Sequence, residues 1–428
     1  MWPNKEHIDK ETFKQIFHDH WEDFKAIHPR YDTPYYDEVV QKMLDCGDPE
    51  KMGFAQYRCT SCGETRRVAF SCKSSFCLSC ATPYTERWVE FISRRLFPGV
   101  VYRHIVLTVP EFLRIWFYRN PRLLRHLIRA GNKCLREVFK ECAGVKLDIG
   151  TIVVLQTAGR PGNYHPHLHI LVTGGGLDPK DQWRNVSFIP FKLIHRKWQY
   201  HLLKMLRKKV KDPAIRKDVD TGWNNYPKGF VAFVDKGKVP PGGKGLATYL
   251  AKYLVSPPIS VRRIESYDRL SVNYWYKDHR TEQVEHETLP VLRFIGRMVQ
   301  HILPKGFQRI SYYGLHSNPR YEKMRSLLAR ILPTGASDDP LGFRVIPRLS
   351  FADLFQKTFG KNPLLCPRCG QHMELESLHH PKYGTIKSFW DELFHEVACE
   401  QPFRSEEKPL RGPLDPTEQV VQVPLPFV

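Results

Sequence analysis

No run of about 18 apolar residues occurs in the 428-residue sequence, so no segment is long enough to cross a bilayer as a helix. The opening segment MWPNKEHIDKETFKQIF also lacks an apolar signal region, and acidic residues come early in it. The expectation is a cytoplasmic protein. Acidic residues are the scarcer charge, with 45 Asp plus Glu against 65 Lys plus Arg and a net charge of +20. Such an excess points to a polyanionic partner, with nucleic acid ahead of an acidic membrane surface. Aromatic residues make up 12% of the chain, which suits base stacking as well as core packing.

Disulfides are not expected in a chain of this kind, so its eleven cysteines point to metal sites or buried thiols. The stretch CTSCGETRRVAFSCKSSFCLSC carries two Cys-x2-Cys pairs, Cys59 with Cys62 and Cys77 with Cys80. Each pair presents two thiolates to one ion, and four thiolates complete a tetrahedral structural zinc site. Cys46 and Cys72 are candidate further zinc ligands, leaving room for a second ion or an exchange of ligands. Arg58, Arg66, Arg67 and Lys73 nearby suit phosphate contact or a solvated face. Cys366 and Cys369, in CPRCGQHMELE, form a third candidate zinc knuckle; Cys399, His372, His379 and His380 are available to complete it.

The rest of the chain is organised around Tyr164 to Gly176, YHPHLHILVTGGG. Branched residues from His169 to Thr173, stopped by three glycines, predict a strand. Alternation then puts His167 and His169 on one face and turns Leu168 and Ile170 toward a core. Two imidazoles held side by side on a strand are a ready pair of metal ligands. Upstream, Ile149 to Thr157 reads as an inner strand, and an antiparallel neighbour would bring Gln156 to the histidine face. A Gln carbonyl oxygen suits magnesium or manganese, although a plain buried, hydrogen-bonded Gln is the alternative. His165 joins that face only if the strand extends past Pro166.

Downstream, GLATYLAKYL places Leu246, Leu250 and Leu254 four residues apart, predicting a short amphipathic helix. Tyr249 and Tyr253 lie one turn apart on one face of it, with Lys252 beside them. Aromatics at this spacing are often core residues. A His-apolar-His strand followed by a Tyr-x3-Tyr helix nevertheless resembles the HUH superfamily of single-strand DNA nucleases, specifically its two-tyrosine rolling-circle transposases of the IS91 group. HPHLHILVTGGGL, ATYLAKYLVSPPIS with Arg262-Arg263-Ile264, and FIGRMVQHILPKGFQRISYYGL resemble blocks of that family.

The resemblance implies an α+β, ferredoxin-like HUH domain, an antiparallel sheet with helices on one face, preceded by a small zinc-binding module that helps grip DNA. It implies Tyr249 and Tyr253 as nucleophiles with Lys252 assisting. It also implies one Mg2+ or Mn2+ held by His167, His169 and Gln156, and structural Zn2+. The implied partner is single-stranded DNA, at element ends and target, with no membrane and no nucleotide cofactor. Relatives commonly carry another His where this chain has Gln156. A plasmid rolling-circle initiator or relaxase would use the same chemistry. A non-catalytic zinc protein that binds nucleic acid and a metal-dependent hydrolase are the readings from other classes.

The order strand (Val100–Val109), helix (Asn120–Cys142), strand, hairpin, strand is itself the front of a ferredoxin-like fold. Around it, residues 1–45 read as a helical lead-in and 46–83 as the zinc module, with 84–335 as the nuclease domain. Residues 336–400 read as a C-terminal region with its own knuckle, and 401–428 as a Pro-rich, extended or disordered tail. Within the nuclease domain, Phe191–Val219 predicts a cationic helix suited to a sugar-phosphate backbone, followed by a Gly-rich loop, KGKVPPGGK. A hairpin over Arg262–Lys277, a helix over Leu289–Leu303 and a cation-aromatic segment, Lys305–Tyr313, come next.

Overall fold

A computed structural model of the protein describes residues 10–234, 258–278, 281–332, 350, 352–353, 355–356 and 362–388. Tyr249, Lys252, Tyr253, the loop from Lys236 to Lys244, the stretch from Pro333 to Leu341, Cys399 and the tail lie outside the described residues. The chain forms two compact units, residues 1–86 with 348–428, and residues 87–347.

The first unit opens with α1 (Lys10–Ile27), α2 (Pro34–Leu44) and a single turn, α3 (Pro49–Met52). Phe13, Phe17, Trp21 and Phe24 recur at helical spacing on α1, and all four are buried. Pro34 starts α2 after an extended Thr33, as its fixed φ and missing N–H favour. A hairpin of β1 (Phe54–Cys59) and β2 (Thr65–Ala69) follows, and α4 (Leu78–Arg95) carries the chain onward.

The second unit begins with β3 (Tyr102–Thr108), α5 (Glu111–Arg119) and α6 (Leu123–Ala143). It continues through β4 (Gly150–Ala158), β5 (Tyr164–Thr173) and a small ribbon, β6 (Gly175–Leu177) with β7 (Trp183–Asn185). Next come α7 (Phe191–Lys209), α8 (Ile215–Asn224) and β8 (Ala232–Val234). A second sheet holds β9 (Ile264–Tyr267), β10 (Ser271–Lys277) and β11 (Val284–Pro290); then come α9 (Val291–Val299), β12 (Ile310–Gly314) and α10 (Tyr321–Ile331). The main sheet has the order β12-β4-β5-β3-β8, every pairing antiparallel. Its last four strands, with α6 after β3 and α7 after β5, trace the β-α-β-β-α-β ferredoxin-like path. The fold is α+β as expected, with β12 as an added edge.

Hydrophobic burial fixes which way the central strands face. Leu168, Ile170 and Val172 of β5 pack with Ile105, Leu107, Val153 and Leu155 under α6 and α7, all of them buried. Gly131 lets α6 close onto this sheet, since a Cβ there would sit 2.4 Å from Leu168 Cδ1. Prolines divide what the apolar pattern alone runs together. The expected helix over Asn120–Cys142 is joined by α5, unforeseen, which Pro110 opens; Pro121 separates the two. Pro213 likewise separates α7 from α8. Leu289 and Pro290 still pair with β10, so the expected helix over Leu289–Leu303 starts only at Val291.

In the cation-aromatic segment, the tyrosines have found protein partners. Tyr312 lies 4.1 Å from the Arg95 guanidinium, and Tyr313 packs against the main core. The C-terminal region also departs from its expected independence. Its β13 (Met373–His380), paired with β14 (Gly384–Ser388), pairs antiparallel with β1, giving the first unit a sheet β14-β13-β1-β2.

Two buried imidazoles make the second unit acid-sensitive. His301 joins Thr157 Oγ1 (3.1 Å) and the Gly162 carbonyl (2.8 Å), and burial pushes it down to about 4. Burial pushes His316 to about 3. The unfolded chain protonates such groups near pH 6.5, so it binds more protons below that value. Stability is therefore present above about pH 6.5 and lost as the pH falls toward 4. Melting temperatures measured across this window should fall, and His316→Phe should flatten the slope.

Candidate functional site

Antiparallel register sets the histidines into rows. Gln156, His167 and Thr108 lie side by side across β4, β5 and β3; Val154, His169 and Val106 form the next row, which Phe233 of β8 extends. These side chains occupy the face away from α6 and α7. β5 starts before Pro166, so His165 lies on the same face as His167 and His169. His169 is buried, whereas His165, His167 and Gln156 sit at a half-buried rim.

Hydrogen bonds set the ring protons. His167 Nδ1 lies 2.7 Å from the His165 carbonyl, which only accepts, so this nitrogen carries the proton and Nε2 keeps its lone pair. His169 stands between two partners, with Nδ1 3.0 Å from His104 Nε2 and Nε2 3.1 Å from Gln156 Oε1. Its proton has two homes. On Nε2 it serves Gln156; on Nδ1 it serves His104 and leaves Nε2 and Oε1 as adjacent lone-pair donors. Two donors about 3.0 Å apart match neighbouring ligands of an octahedral ion at about 2.1 Å. Burial lowers His169 well below the ordinary imidazole range and lowers His167 too. Burial brings His165 to about 3, aided by its neighbour His167 and by Arg114. All three rings are therefore neutral near pH 7, the state in which imidazole binds metal.

His165 Nε2 is buried with no hydrogen-bond partner, and its ring lies 5.1 Å from that of His167. The three histidines do not converge on one point. Among the described residues, only cysteines bring three or more His, Cys, Asp or Glu ligand atoms within 4.8 Å of one another.

The turn between β4 and β5 is held from β10 of the second sheet and from α9 with the residues after it. The Pro161 carbonyl accepts from Tyr274 Oη (2.9 Å) and Arg297 Nη1 (3.2 Å), and both donors engage Glu287. The Gly162 carbonyl accepts from Gln300 Nε2 (3.1 Å) and His301 Nε2. Arg160 Nη1 reaches the Lys277 carbonyl at 3.2 Å.

Two members of this site had not been singled out. His104 sits in YRHIVLT with nothing in the pattern to mark it, and only the β3–β5 register brings it to His169. Arg114 lies on α5, half-buried, its Nε 3.1 Å from the Val109 carbonyl. It is the cation whose charge depresses His165 and His167.

The cysteines group differently from the expectation. Cys59 and Cys62 do not share a cluster with Cys77 and Cys80; the latter gather with Cys46 and Cys72, and the former with Cys366 and Cys369. Cys80 Sγ lies 3.5 Å from Cys46 Sγ and 3.6 Å from Cys72 Sγ. The reason is reach: the β1–β2 hairpin holds its pair beside β13, while the turn into α4 folds Cys72, Cys77 and Cys80 onto the end of α2. Contact with Cys72 drives the Cys46 thiol strongly down, and contact with Cys46 drives Cys72 strongly up. Four cysteine sulfurs gathered this closely are a ready ligand set for one zinc ion.

A transposase for insertion sequence element IS801 from Pseudomonas savastanoi is 31% identical over 356 residues, covering 78% of this chain and 82% of the relative. The chain belongs to the IS91 family of transposases. A family model described as "Putative transposase" matches residues 150–324, and one described as "Transposase zinc-binding domain" matches residues 16–109. "Putative transposase y4qJ" of Sinorhizobium fredii is 28% identical over 373 residues, covering 83% of this chain and 92% of the relative. No solved structure matches. DNA is thus the partner of this transposase, and structural zinc belongs to its N-terminal module. The zinc-binding match includes Cys46, Cys59, Cys62, Cys72, Cys77 and Cys80, but neither Cys366 nor Cys369. No described helix is long and apolar enough to cross a membrane.

Cys80→Ser removes the thiol that touches two others. The variant should lose the ion held with Cys46, and hydrogen exchange at residues 46–80 should accelerate while β4 and β5 keep their protection.

Proposed function

We propose that this transposase nicks and rejoins single-stranded DNA at the ends of a mobile element by metal-assisted tyrosine transesterification. One observation carries the reading: neutral His167 and His169 share a sheet face with Gln156, the His165 carbonyl holds the His167 proton on Nδ1 and leaves its Nε2 lone pair free, and a His169 proton on Nδ1 toward His104 makes His169 Nε2 and Gln156 Oε1 adjacent donors. His167, His169 and Gln156 would hold one Mg2+ or Mn2+. Bound there, the ion would polarise the scissile phosphate and stabilise the charge that builds on its oxygens.

Tyr249 or Tyr253 supplies the nucleophile. Its Oη forms the bond to phosphorus as the bond to the 3′-oxygen breaks, leaving a 5′-phosphotyrosine and a free 3′-hydroxyl. A phenol keeps its proton near neutral pH, with a pKa of about 10, and the metal ion or the Lys252 cation beside it would lower that barrier. The link conserves the phosphodiester's bond energy, so a later 3′-hydroxyl reverses the step without a nucleotide cofactor. Tyrosines one turn apart suit two strands handled in alternation. Arg114, beside the histidine rim, is placed to meet phosphate charge. Exposed Lys192, Arg196, Lys204, Arg207, Lys208 and Lys209 on α7 lie on the opposite side of the sheet and suit backbone contact away from the chemistry.

The test is covalent capture. The full chain is mixed with labelled single-stranded oligonucleotides from the element's ends and Mn2+ or Mg2+. A denaturant-resistant adduct is expected, abolished by Tyr249→Phe with Tyr253→Phe and by His167→Ala. Cleavage without an adduct would replace this mechanism by hydrolysis, and binding without either would leave a DNA-binding role. His104→Leu, which removes a partner of a ligand rather than a ligand, should weaken Mn2+ binding roughly 10- to 100-fold by calorimetry. Neutralising Lys204, Arg207 and Lys208 should lower DNA affinity and reduce the salt slope by about one per lost phosphate contact.

A further inference from the structure

Residues 59–64 and 366–371 are two copies of one turn. Both read Cys-x2-Cys-Gly, CTSCG and CPRCG. In the first, Cys59 N–H donates to the Glu64 carbonyl (2.8 Å) and Gly63 N–H to the Cys59 carbonyl (2.9 Å). In the second, Cys366 N–H donates to the Gln371 carbonyl (2.8 Å) and Gly370 N–H to the Cys366 carbonyl (2.9 Å). The glycines close both turns in the left-handed region, with φ of 74° and 73°. Each turn thus points a pair of thiols out of a tight loop.

The two pairs face each other. Cys59 Sγ lies 3.5 Å from Cys369 Sγ, and Cys62 Sγ 3.6 Å from Cys366 Sγ, although the latter two are 304 residues apart in the chain. These separations are too long for an S–S bond of about 2.05 Å. They approach the edge of about 3.8 Å that a tetrahedron with Zn–S bonds of about 2.3 Å requires.

We propose that Cys59, Cys62, Cys366 and Cys369 hold a second zinc ion, completing a two-knuckle ribbon whose halves come from opposite ends of the chain. The site is independent of the tyrosine chemistry. The segment from Arg87 to Pro347, with the histidine site, lies in sequence between the two halves. Energetics gives the ion a purpose. Among the described residues, the buried cluster here comprises Ala55, Tyr57, Cys59, Val68, Cys366, Met373 and Leu378, with Phe70, Phe355, Leu364 and Leu375 partly buried against it, and two of the buried seven are proposed ligands. So small a core needs a staple. The Arg58–Glu376 ion pair and the Gln56–Glu376 hydrogen bond (2.9 Å) add polar pairing between β1 and β13, but metal binding supplies the larger folding energy. The N-terminal zinc module therefore borrows half of its second site from residues 366–369.

Zinc per full-length chain, measured by plasma mass spectrometry, tests this. Two ions are expected in the wild type, one in Cys366→Ser/Cys369→Ser and one in Cys72→Ser/Cys77→Ser. Amides of β13 should exchange about tenfold faster in the first variant and not in the second. One zinc in the wild type, iron in place of the second ion, or two zincs retained by Cys366→Ser/Cys369→Ser would overturn the proposal. Should that variant fail to fold, the wild type decides: Cys369, exposed, should resist iodoacetamide until a chelator is added. Alkylation at the free-thiol rate in the zinc-loaded protein would refute the site.

Discussion

Everything on the histidine face depends on which nitrogen of each imidazole carries the proton. For His167 the answer is local, because the acceptor is a carbonyl of its own strand two residues away. For His169 it is remote, because the partner, His104, belongs to β3. The tautomer of the second ring therefore depends on the β3–β5 register, which supplies His104, as well as on Gln156 of β4. Slipping that register by one residue would turn the His104 side chain to the other face and leave His169 without it. What holds the register is the apolar face beneath, where Leu168, Ile170 and Val172 have no place except under α6 and α7.

The same logic explains the second sheet. Gln156 and His167 stand beside the β4–β5 turn, at the ends of their strands. Tyr274 of β10, Arg297 of α9 and the Gln300 and His301 that follow it fasten the carbonyls of that turn, so the ends bearing Gln156 and His167 are braced from outside their own sheet. The proposed ligand pair, His169 Nε2 and Gln156 Oε1 3.1 Å apart, would require such support.

Periodicity made the central strands legible, since each one alternates or runs apolar with clear stops. The same alternation made it legible that His167 and His169 share a face. Legibility failed where contacts cross long sequence distances. His104 and Arg114 carry no local mark and become members of the site only through pairing of β3 and packing of α5. The cysteines failed for the same reason. Spacing groups Cys59 and Cys62 with Cys77 and Cys80 because they are near in sequence, while β1 pairs with β13 and brings Cys366 and Cys369 to them instead. Prolines at 110, 121, 213 and 290 carried the missing helix boundaries, which apolar stripes alone blur.

Charge placement follows from what each region has to attract. The chain carries +20, yet the histidine rim is built of neutral rings with Arg114 as the nearby cation that depresses them. A rim dense in lysine would repel the divalent ion proposed for His167 and His169. Cations set on α7, across the sheet, avoid that conflict. Screening reduces their effect beyond about 8 Å at physiological salt, so they can draw in a polyanion from solution without opposing the cation proposed at the histidine rim. On the proposed reading, the sheet separates a neutral face suited to a cation from a charged face suited to DNA.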